Sequence, residues 1–167
     1  QKGQVTDSSL VKLFQGRSIG CLESPFVEHS KVAQYSEAAD QYLRTQTRLG
    51  IPAIQIAECL HGQMALGTTI FPQAIGLGST WNPELIKQMA SVIAAEASLS
   101  GVDQALSPLF DLARDPRYGR VEECYGEDPC LVKEMGVAFV TGMQGEAEQT
   151  RKGIELSLIH ISEPTRH

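Results

Sequence analysis

Three stretches of the chain place apolar residues at the spacing of an amphipathic helix. They run from about 30 to 48, from 82 to 101 and from 129 to 143. The second begins with Asn82, a good N-cap residue, and Pro83, which suits the first helical position. Its predicted buried face comprises Leu85, Ile86, Met89, Val92, Ile93 and Ala97. Glycine follows each stretch closely, as is common where helices end. The pattern therefore predicts three helices, each with one buried face.

A short apolar run precedes each of these helices and predicts a β-strand. The predicted strands cover residues 18–23, 51–57 (IPAIQIA) and 102–110 (VDQALSPLF). A strand that returns through a helix to the same sheet does so with a right-handed crossover and lies parallel to its predecessor. We therefore expect three parallel, adjacent strands, with Glu58 and Asp111 at the same carboxyl edge.

The connections between these elements are unequal in length. Helix-to-strand joints are short, around Gly50 and Gly101. The second and third strand-to-helix connections run to roughly 24 and 16 residues, whereas most connections span about 2 to 6. Short turns at one end and long loops at the other indicate a parallel (β/α)8 barrel, which carries its active site on the long-loop face. A doubly wound sheet is the alternative, but no G-x-G-x-x-G motif follows the first or second strand.

Composition narrows the class of protein. The chain has 167 residues, a net charge of -6 and 42% hydrophobic residues, which suits one globular domain. No basic stripe is present to neutralise phosphates, which argues against a nucleic-acid partner. No apolar run approaches the roughly 18 residues that a membrane helix needs. The four cysteines show neither a C-x-x-C pair nor a metal-binding spacing, and we interpret them as unpaired.

The most unusual stretch is residues 112–129, LARDPRYGRVEECYGEDP. Its acids and arginines are interrupted by glycine and proline, which indicates a loop held in one shape. A rigid, charged loop after a strand is a place where α/β proteins put chemistry, yet a structural cluster of ion pairs would look the same. On the structural interpretation, which we favour for the acids, a partly buried network joins three glutamates to three arginines. Its members are Glu122, Glu123, Glu127, Arg114, Arg117 and Arg120.

Taken together, three ordered segments resemble family 3 glycoside hydrolases of the β-glucosidase and β-xylosidase type. They are RLGIPAIQIAECLHG (48–62), TTIFPQAIGLGSTWNPELI (68–86) and LSPLFDLARDPRYGRVEECYGEDPCLVKEMGVAFVTGMQG (106–145). The resemblance implies a TIM-type barrel that hydrolyses β-linked sugars with retention, without a cofactor or metal. The family's nucleophile is an aspartate in a later Ser-Asp-Trp-like motif, and its acid/base lies further on. The resemblance therefore places no catalytic residue in this chain.

Two positions match the family's sugar-binding residues. Glu58 corresponds to an acidic residue that accepts hydrogen bonds from sugar hydroxyls, and Arg120 to an arginine that donates to hydroxyls or to neighbouring carboxylates. Many glucosidases carry aspartate where this chain has Glu58, and the longer side chain favours a pentoside such as xylose. Glu58 and His61 also form E-x-x-H, which binds metal when both residues share a helix. Because these two follow a strand, we interpret His61 as structural. Trp81, which could stack on sugar, is instead expected to pack beside the N-cap Asn82.

The resemblance ends near Ile154. The remaining string, LSLIHISEPTR within residues 155–167, resembles a translated sequencing adaptor, although LSLIHI would also suit a genuine strand. We therefore expect residues 1–154 to be the first three βα units of a catalytic barrel whose remainder is missing. Alone, this part should be inactive towards its saccharide substrate. A non-catalytic carbohydrate-binding or scaffold protein is the alternative. The sequence does not identify the compartment of the parent protein. Because the family is often exported in bacteria, a periplasmic or secreted parent is the candidate.

Overall fold

The computed structural model describes residues 7–145 and 155–156. In chain order the helices and strands are α1 (Asp7–Phe14), β1 (Cys21–Glu23), α2 (His29–Gln46), β2 (Ile54–Ala57), α3 (Ala74–Gly78), α4 (Pro83–Leu99), β3 (Gln104–Ala105), α5 (Pro129–Gln144) and β4 (Glu155–Leu156). Two short 3-10 turns, Pro116–Tyr118 and Val121–Glu123, lie between β3 and α5. The three predicted helices are present with nearly the predicted bounds.

The strands form one parallel sheet in the order β1-β2-β3-β4. Cys21 of β1 pairs with Ile54 of β2, and Ile56 of β2 pairs with Gln104 of β3. Sequence order and spatial order therefore coincide, with a helical crossover between successive strands. This confirms the predicted parallel, adjacent strands and the α/β architecture of a partial TIM-type barrel.

The observed strands are shorter than the sequence pattern predicts, and β3 is the extreme case. Its ladder extends only as far as the hydrogen bond from the Leu106 amide to the Ala57 carbonyl, at 2.8 Å. Pro108 follows soon afterwards, and proline has no N–H to donate to a neighbouring strand. The chain therefore leaves the sheet early, and the apolar run up to Phe110 packs as a loop. Leu109 is buried there, and Phe110 packs against the main core.

One face of the sheet packs on helices, and the other does not. Ala57 and Ala105 belong to the main core with α4 and α5, while Leu22 joins a smaller core with α1 and α2. Side chains alternate along a strand, so their neighbours point to the opposite face. There Cys21, Glu23 and Ile54 are exposed within the described part of the chain. An open inner face of this kind is what a partial barrel leaves uncovered.

Helices α4 and α5 contribute most of the main core, but two residues predicted to be buried are not. Leu85 is 45% exposed and Val92 is 44% exposed. The predicted face is displaced around the helix, because α4 buries Ala90 and Ala94 in place of Leu85 and Val92. The buried face comprises Ile86, Met89, Ala90, Ile93, Ala94 and Ala97. The error arises because periodicity marks apolar residues and cannot tell which of them have a partner.

Helix α3 was not predicted, and it lies inside the long connection after β2. A Cβ atom at Gly78 would collide with the Tyr125 carbonyl, so α3 can approach the loop before α5 only with glycine there. Trp81 follows α3 with φ 51° and is 68% exposed, so the predicted packing of its side chain is wrong. α3 is five residues long, too short to produce a helical period.

The adaptor-like tail, residues 155–167, lies outside the described residues except for Glu155 and Leu156. These two form β4, which pairs in parallel with β3 through Gln104 and Ala105. The assignment of the tail therefore stays a prediction.

Candidate functional site

Glu58 stands at the carboxyl end of β2, directly after Ala57. The next residue, Cys59, is fully buried and has φ 58°, a left-handed conformation that non-glycine residues rarely adopt. Burial raises the pKa of the Cys59 thiol to about 12, so it stays protonated at neutral pH. Cys59 thus fixes the backbone behind Glu58 as a small apolar side chain. Strained residues of this kind are concentrated at functional sites.

The turn after Glu58 is fixed by backbone contacts. His61 Nδ1 donates to the Phe71 carbonyl at 2.8 Å, and the Phe71 amide donates to the His61 carbonyl at 2.8 Å. Gly62 has φ 144°, and a Cβ there would lie 2.5 Å from the Thr69 carbonyl oxygen. These contacts give His61 a structural role, as its position after a strand indicated.

Arg120 lies on the loop after β3 and forms a two-point ion pair with Glu123. Its Nε donates to Glu123 Oε1 at 3.0 Å and its Nη2 to Oε2 at 2.6 Å. The Arg120 side chain is 38% exposed and that of Glu123 only 17%. The hydrogen bonds with Glu123 raise the pKa of the Arg120 guanidinium further. A bidentate pair fixes both the position and the plane of the guanidinium.

Glu58 and Arg120 come together at the same edge of the sheet, although 62 positions separate them. Burial raises the pKa of the Glu58 carboxyl, the Arg120 charge opposes that rise, and the carboxylates of Glu123 and Glu23 add to it. Glu58 in turn raises the pKa of Arg120. A half-buried carboxyl group therefore lies within electrostatic range of a guanidinium that is already paired with Glu123.

Two further residues complete this edge. Burial and the charge of Asp111 raise the pKa of the Tyr118 hydroxyl, which hydrogen-bonds to Asp111. Asp111 therefore lies on the same side as Arg120, whose charge also acts on Tyr118. Strands β2 and β3 are parallel, as predicted, so the residues that follow them leave the sheet at the same carboxyl edge.

The predicted six-residue ion-pair network is only partly correct. Arg120 pairs with Glu123 as expected, but Arg117 pairs with Asp115, through Nη2 to Oδ2 at 2.7 Å. Within the described residues, Arg114, Glu122 and Glu127 form no ion pair. Asp115 also caps the 3-10 turn by accepting from the Arg117 amide at 2.9 Å. The Asp-Pro sequence at 115–116 resembles a helix N-cap, and this signal could have identified Asp115.

The sequence analysis did not predict which arginine Glu123 would contact, and it did not identify Glu23 as a neighbour of Glu58. The R-x-x-E spacing from Arg120 to Glu123 identifies a neighbouring pair only if the loop is helical there, as the 3-10 turn makes it. Glu23 ends β1, and the parallel register brings it opposite Ile56, close to Glu58. That proximity is visible in the sequence once the strands are aligned.

The structure describes no metal cluster and no membrane helix. Between residues 7 and 145, no group of three or more His, Cys, Asp or Glu side chains is placed to hold a metal ion. No helix in the same part of the chain is long and apolar enough to cross a membrane.

Several known proteins are similar to this chain in both sequence and fold. A β-xylosidase of Formosa agariphila is 45% identical over 139 residues, covering 80% of this chain and 19% of its own length. A periplasmic β-glucosidase of Salmonella typhimurium is 35% identical over 70% of this chain and 15% of its own. The solved β-glucosidase EmGH1 of Erythrobacter marinus superimposes with a TM-score of 0.77 at 32% identity, covering 90% of this chain and 21% of that one.

A β-glucosidase of Listeria innocua, solved in complex with glucose, superimposes with a TM-score of 0.69 at 33% identity. That match covers 93% of this chain and 22% of the Listeria chain. This chain thus spans about a fifth or less of the length of the relatives described. The family model for the glycosyl hydrolase family 3 N-terminal domain matches residues 4–163. The chain therefore belongs to glycosyl hydrolase family 3.

Proposed function

We propose that this chain is the first part of the catalytic barrel of a retaining β-glycosidase. Its parent hydrolyses the O-glycosyl bonds of β-linked xylosides or glucosides. Residues 1–154 supply three βα units of the barrel and part of the sugar-binding site. Residues 155–167 are an adaptor-derived tail on the resemblance of their sequence, although the family match extends to residue 163. Glu58 and Arg120 bind the hydroxyl groups of the sugar whose bond is cleaved.

The placement of Glu58 beside Arg120 supports this proposal. Glu58 is partly buried at the end of β2, and the Arg120 charge stabilises its ionised form. A carboxylate and a guanidinium accept and donate charge-assisted hydrogen bonds, which are shorter and stronger than neutral ones. Adjacent sugar hydroxyls can satisfy both groups at once. Since Glu123 holds the guanidinium from behind, little conformational entropy is lost when the sugar binds.

The chemical step is assigned to residues outside this chain. Retaining hydrolysis needs two carboxyl groups about 5 to 5.5 Å apart, one acting as nucleophile and one as acid and then base. Asp115 and Glu123 of the 112–129 loop form ion pairs, Asp128 caps α5, and Glu58 is assigned to sugar binding. The exposed Glu122 and Glu127 match no catalytic position of the family. This part of the barrel therefore positions the sugar, and the later strands supply the nucleophile.

Among β-linked substrates, a pentoside fits best. Glu58 extends one methylene further from β2 than the aspartate typical of glucosidases, and so reaches into the space of a hexose hydroxymethyl group. The 45% identity to a β-xylosidase supports the same choice.

Titration of the chain with methyl β-D-xyloside and methyl β-D-glucoside, followed by ligand-observed NMR, tests the proposal. A hydrogen bond to a charged group contributes about 1.5–3 kcal/mol, so Glu58→Gln and Arg120→Met should each weaken binding by roughly 10- to 100-fold. Arg114→Met is the matched control, because Arg114 is exposed on the same loop. Equal binding by Glu58→Gln and the wild-type chain would contradict the proposal.

A further inference from the structure

A small notch lies beside Glu58, at the carboxyl ends of β1 and β2. Its volume of about 10 Å³ suits one water-sized group. Its lining includes Glu23, Ser24, Phe26, Glu58, Gln63 and Met64. Resting on the proposed function, we propose that this notch binds a single hydroxyl group of the saccharide and that Gln63 is its hydrogen-bond donor.

Gln63 is the unusual feature of the notch. It is only 4% exposed, and its Oε1 accepts a hydrogen bond from Ser100 Oγ at 2.8 Å. Its Nε2 has no hydrogen-bond partner among the described residues, and neither has Ser24 Oγ on the same lining. A buried polar group left unpaired costs about 1–3 kcal/mol. Binding a group that accepts from Gln63 removes that cost.

The chemistry of the notch selects a hydroxyl. Gln63 Nε2 needs an acceptor, whereas the Glu58 carboxylate needs a donor, and one hydroxyl group can satisfy both. Burial and the nearby Glu23 carboxylate both raise the pKa of Glu58, so a further carboxylate on the sugar would be repelled from this notch. The volume is too small for an acetamido group. The notch therefore selects neutral sugars with an unsubstituted hydroxyl at that position, and disfavours uronic acids and N-acetylated sugars.

The two loops that form the notch are fixed to each other. The Leu66 amide donates to the Val27 carbonyl at 2.9 Å, and the His29 amide donates to the Leu66 carbonyl at 3.0 Å. Met64 is held at φ 63°, a strained backbone conformation for a non-glycine residue. Phe26 and Met64 form an apolar rim, 71% and 37% exposed, beside the polar floor. An apolar rim with a few convergent polar groups is typical of a small-molecule site.

The test compares Gln63→Leu with Ser100→Ala in the 167-residue chain. Both changes remove the hydrogen bond between Gln63 and Ser100, but only Gln63→Leu removes the donor in the notch. Ligand-observed NMR titrations use methyl β-D-xyloside and its 2-, 3- and 4-deoxy analogues. Glu58→Gln is included as the control for the proposed function itself.

We expect Gln63→Leu to weaken binding of methyl β-D-xyloside by roughly 3- to 10-fold, as the loss of one neutral hydrogen bond predicts. One deoxy analogue, lacking the hydroxyl that enters the notch, should bind Gln63→Leu and wild type alike. Ser100→Ala should bind the parent xyloside as the wild type does. Suppose that Glu58→Gln loses affinity as expected. The role of Gln63 would then be overturned if Gln63→Leu weakened the binding of every analogue equally, or weakened the binding of none. If the wild-type chain binds no xyloside, or Glu58→Gln binds like wild type, the proposed function fails together with this inference.

Discussion

Glu58 carries a cost in stability that its position explains. Burial and two neighbouring carboxylates disfavour its ionised form, and the Arg120 charge compensates only in part, because the net effect is a raised pKa. A binding residue that is poorly solvated before the ligand arrives gains more from hydrogen bonds with that ligand. On the proposed function, Glu58 would therefore gain more from a sugar hydroxyl than a fully solvated carboxylate would.

A pH series on Glu58→Gln measures this cost. A carboxyl group whose pKa is raised in the folded state favours folding below its unfolded-state pKa, and this contribution is lost as pH rises through the folded-state pKa. The wild-type chain should therefore lose free energy of unfolding as pH rises through the Glu58 pKa, whereas Glu58→Gln should not. We expect Glu58→Gln to be the more stable of the two proteins at neutral pH. Urea unfolding at a series of pH values supplies the data. A difference in free energy of unfolding that does not change with pH would show that Glu58 is well solvated in the folded chain.

The Arg120–Glu123 pair predicts that Glu123 is a positioning residue. Glu123→Gln removes the charge and one acceptor oxygen from the two-point contact, so Arg120 should sample other orientations. We expect methyl β-D-xyloside to bind about 3- to 10-fold more weakly, with little change in thermal stability because a partly exposed pair contributes only about 0–1 kcal/mol. Glu122→Gln, one residue away and exposed, is the matched control. A loss of stability without a loss of affinity would assign Glu123 a purely structural role.

At the scale of elements, the sequence predicted the helices well and the strands only in outline. Asn82, as predicted, and also Asp128 cap helices with their side chains. Strand lengths could not be predicted, because a strand exists only where a neighbour pairs with it. β3 stops early for that reason although its apolar run continues. The Glu58–Arg120 edge followed from strand order and family resemblance, whereas the Glu123 contact depends on a local 3-10 turn that no periodicity reveals.

The close contact between α4 and α5 depends on Gly142. A Cβ atom there would lie 2.7 Å from Ala90 Cβ and would also collide with the Lys87 carbonyl. We expect Gly142→Ala to destabilise the chain by about 1–3 kcal/mol through overpacking. Gly76→Ala is the control, since α3 leaves its Cβ an ordinary 3.7 Å from Pro72 Cβ. Calorimetric melting temperatures would distinguish the two, and equal shifts would contradict the packing argument.

At the scale of the whole molecule, the inner face of the sheet is its most revealing feature. Exposed Cys21, Glu23 and Ile54 occupy the side that the interior of a closed barrel would cover. This chain aligns with only about a fifth or less of the length of the relatives described above. We infer that the remaining strands of the parent complete both the core and the active site.

The purified chain should therefore not hydrolyse aryl β-xylosides or β-glucosides. The family resemblance assigns both the nucleophile and the acid/base to later strands, and we therefore expect no covalent step in this chain. A double variant, Glu58→Ala with Arg120→Ala, gives the background rate in a chromogenic assay. Turnover by the wild-type chain above that background would show that the catalytic residues have been misassigned. We also expect the chain to aggregate readily, because its sheet has unpaired edges.

Sequencing the gene through this locus shows whether residues 1–154 are the start of a longer catalytic barrel. We expect an independent genomic clone to continue in frame from Ile154 into a strand ending in a lysine-histidine pair. It then reaches a strand bearing a Ser-Asp-Trp-like motif, and it does not encode the string at residues 155–167. A stop codon soon after residue 154 would contradict the account and favour a carbohydrate-binding protein without catalysis.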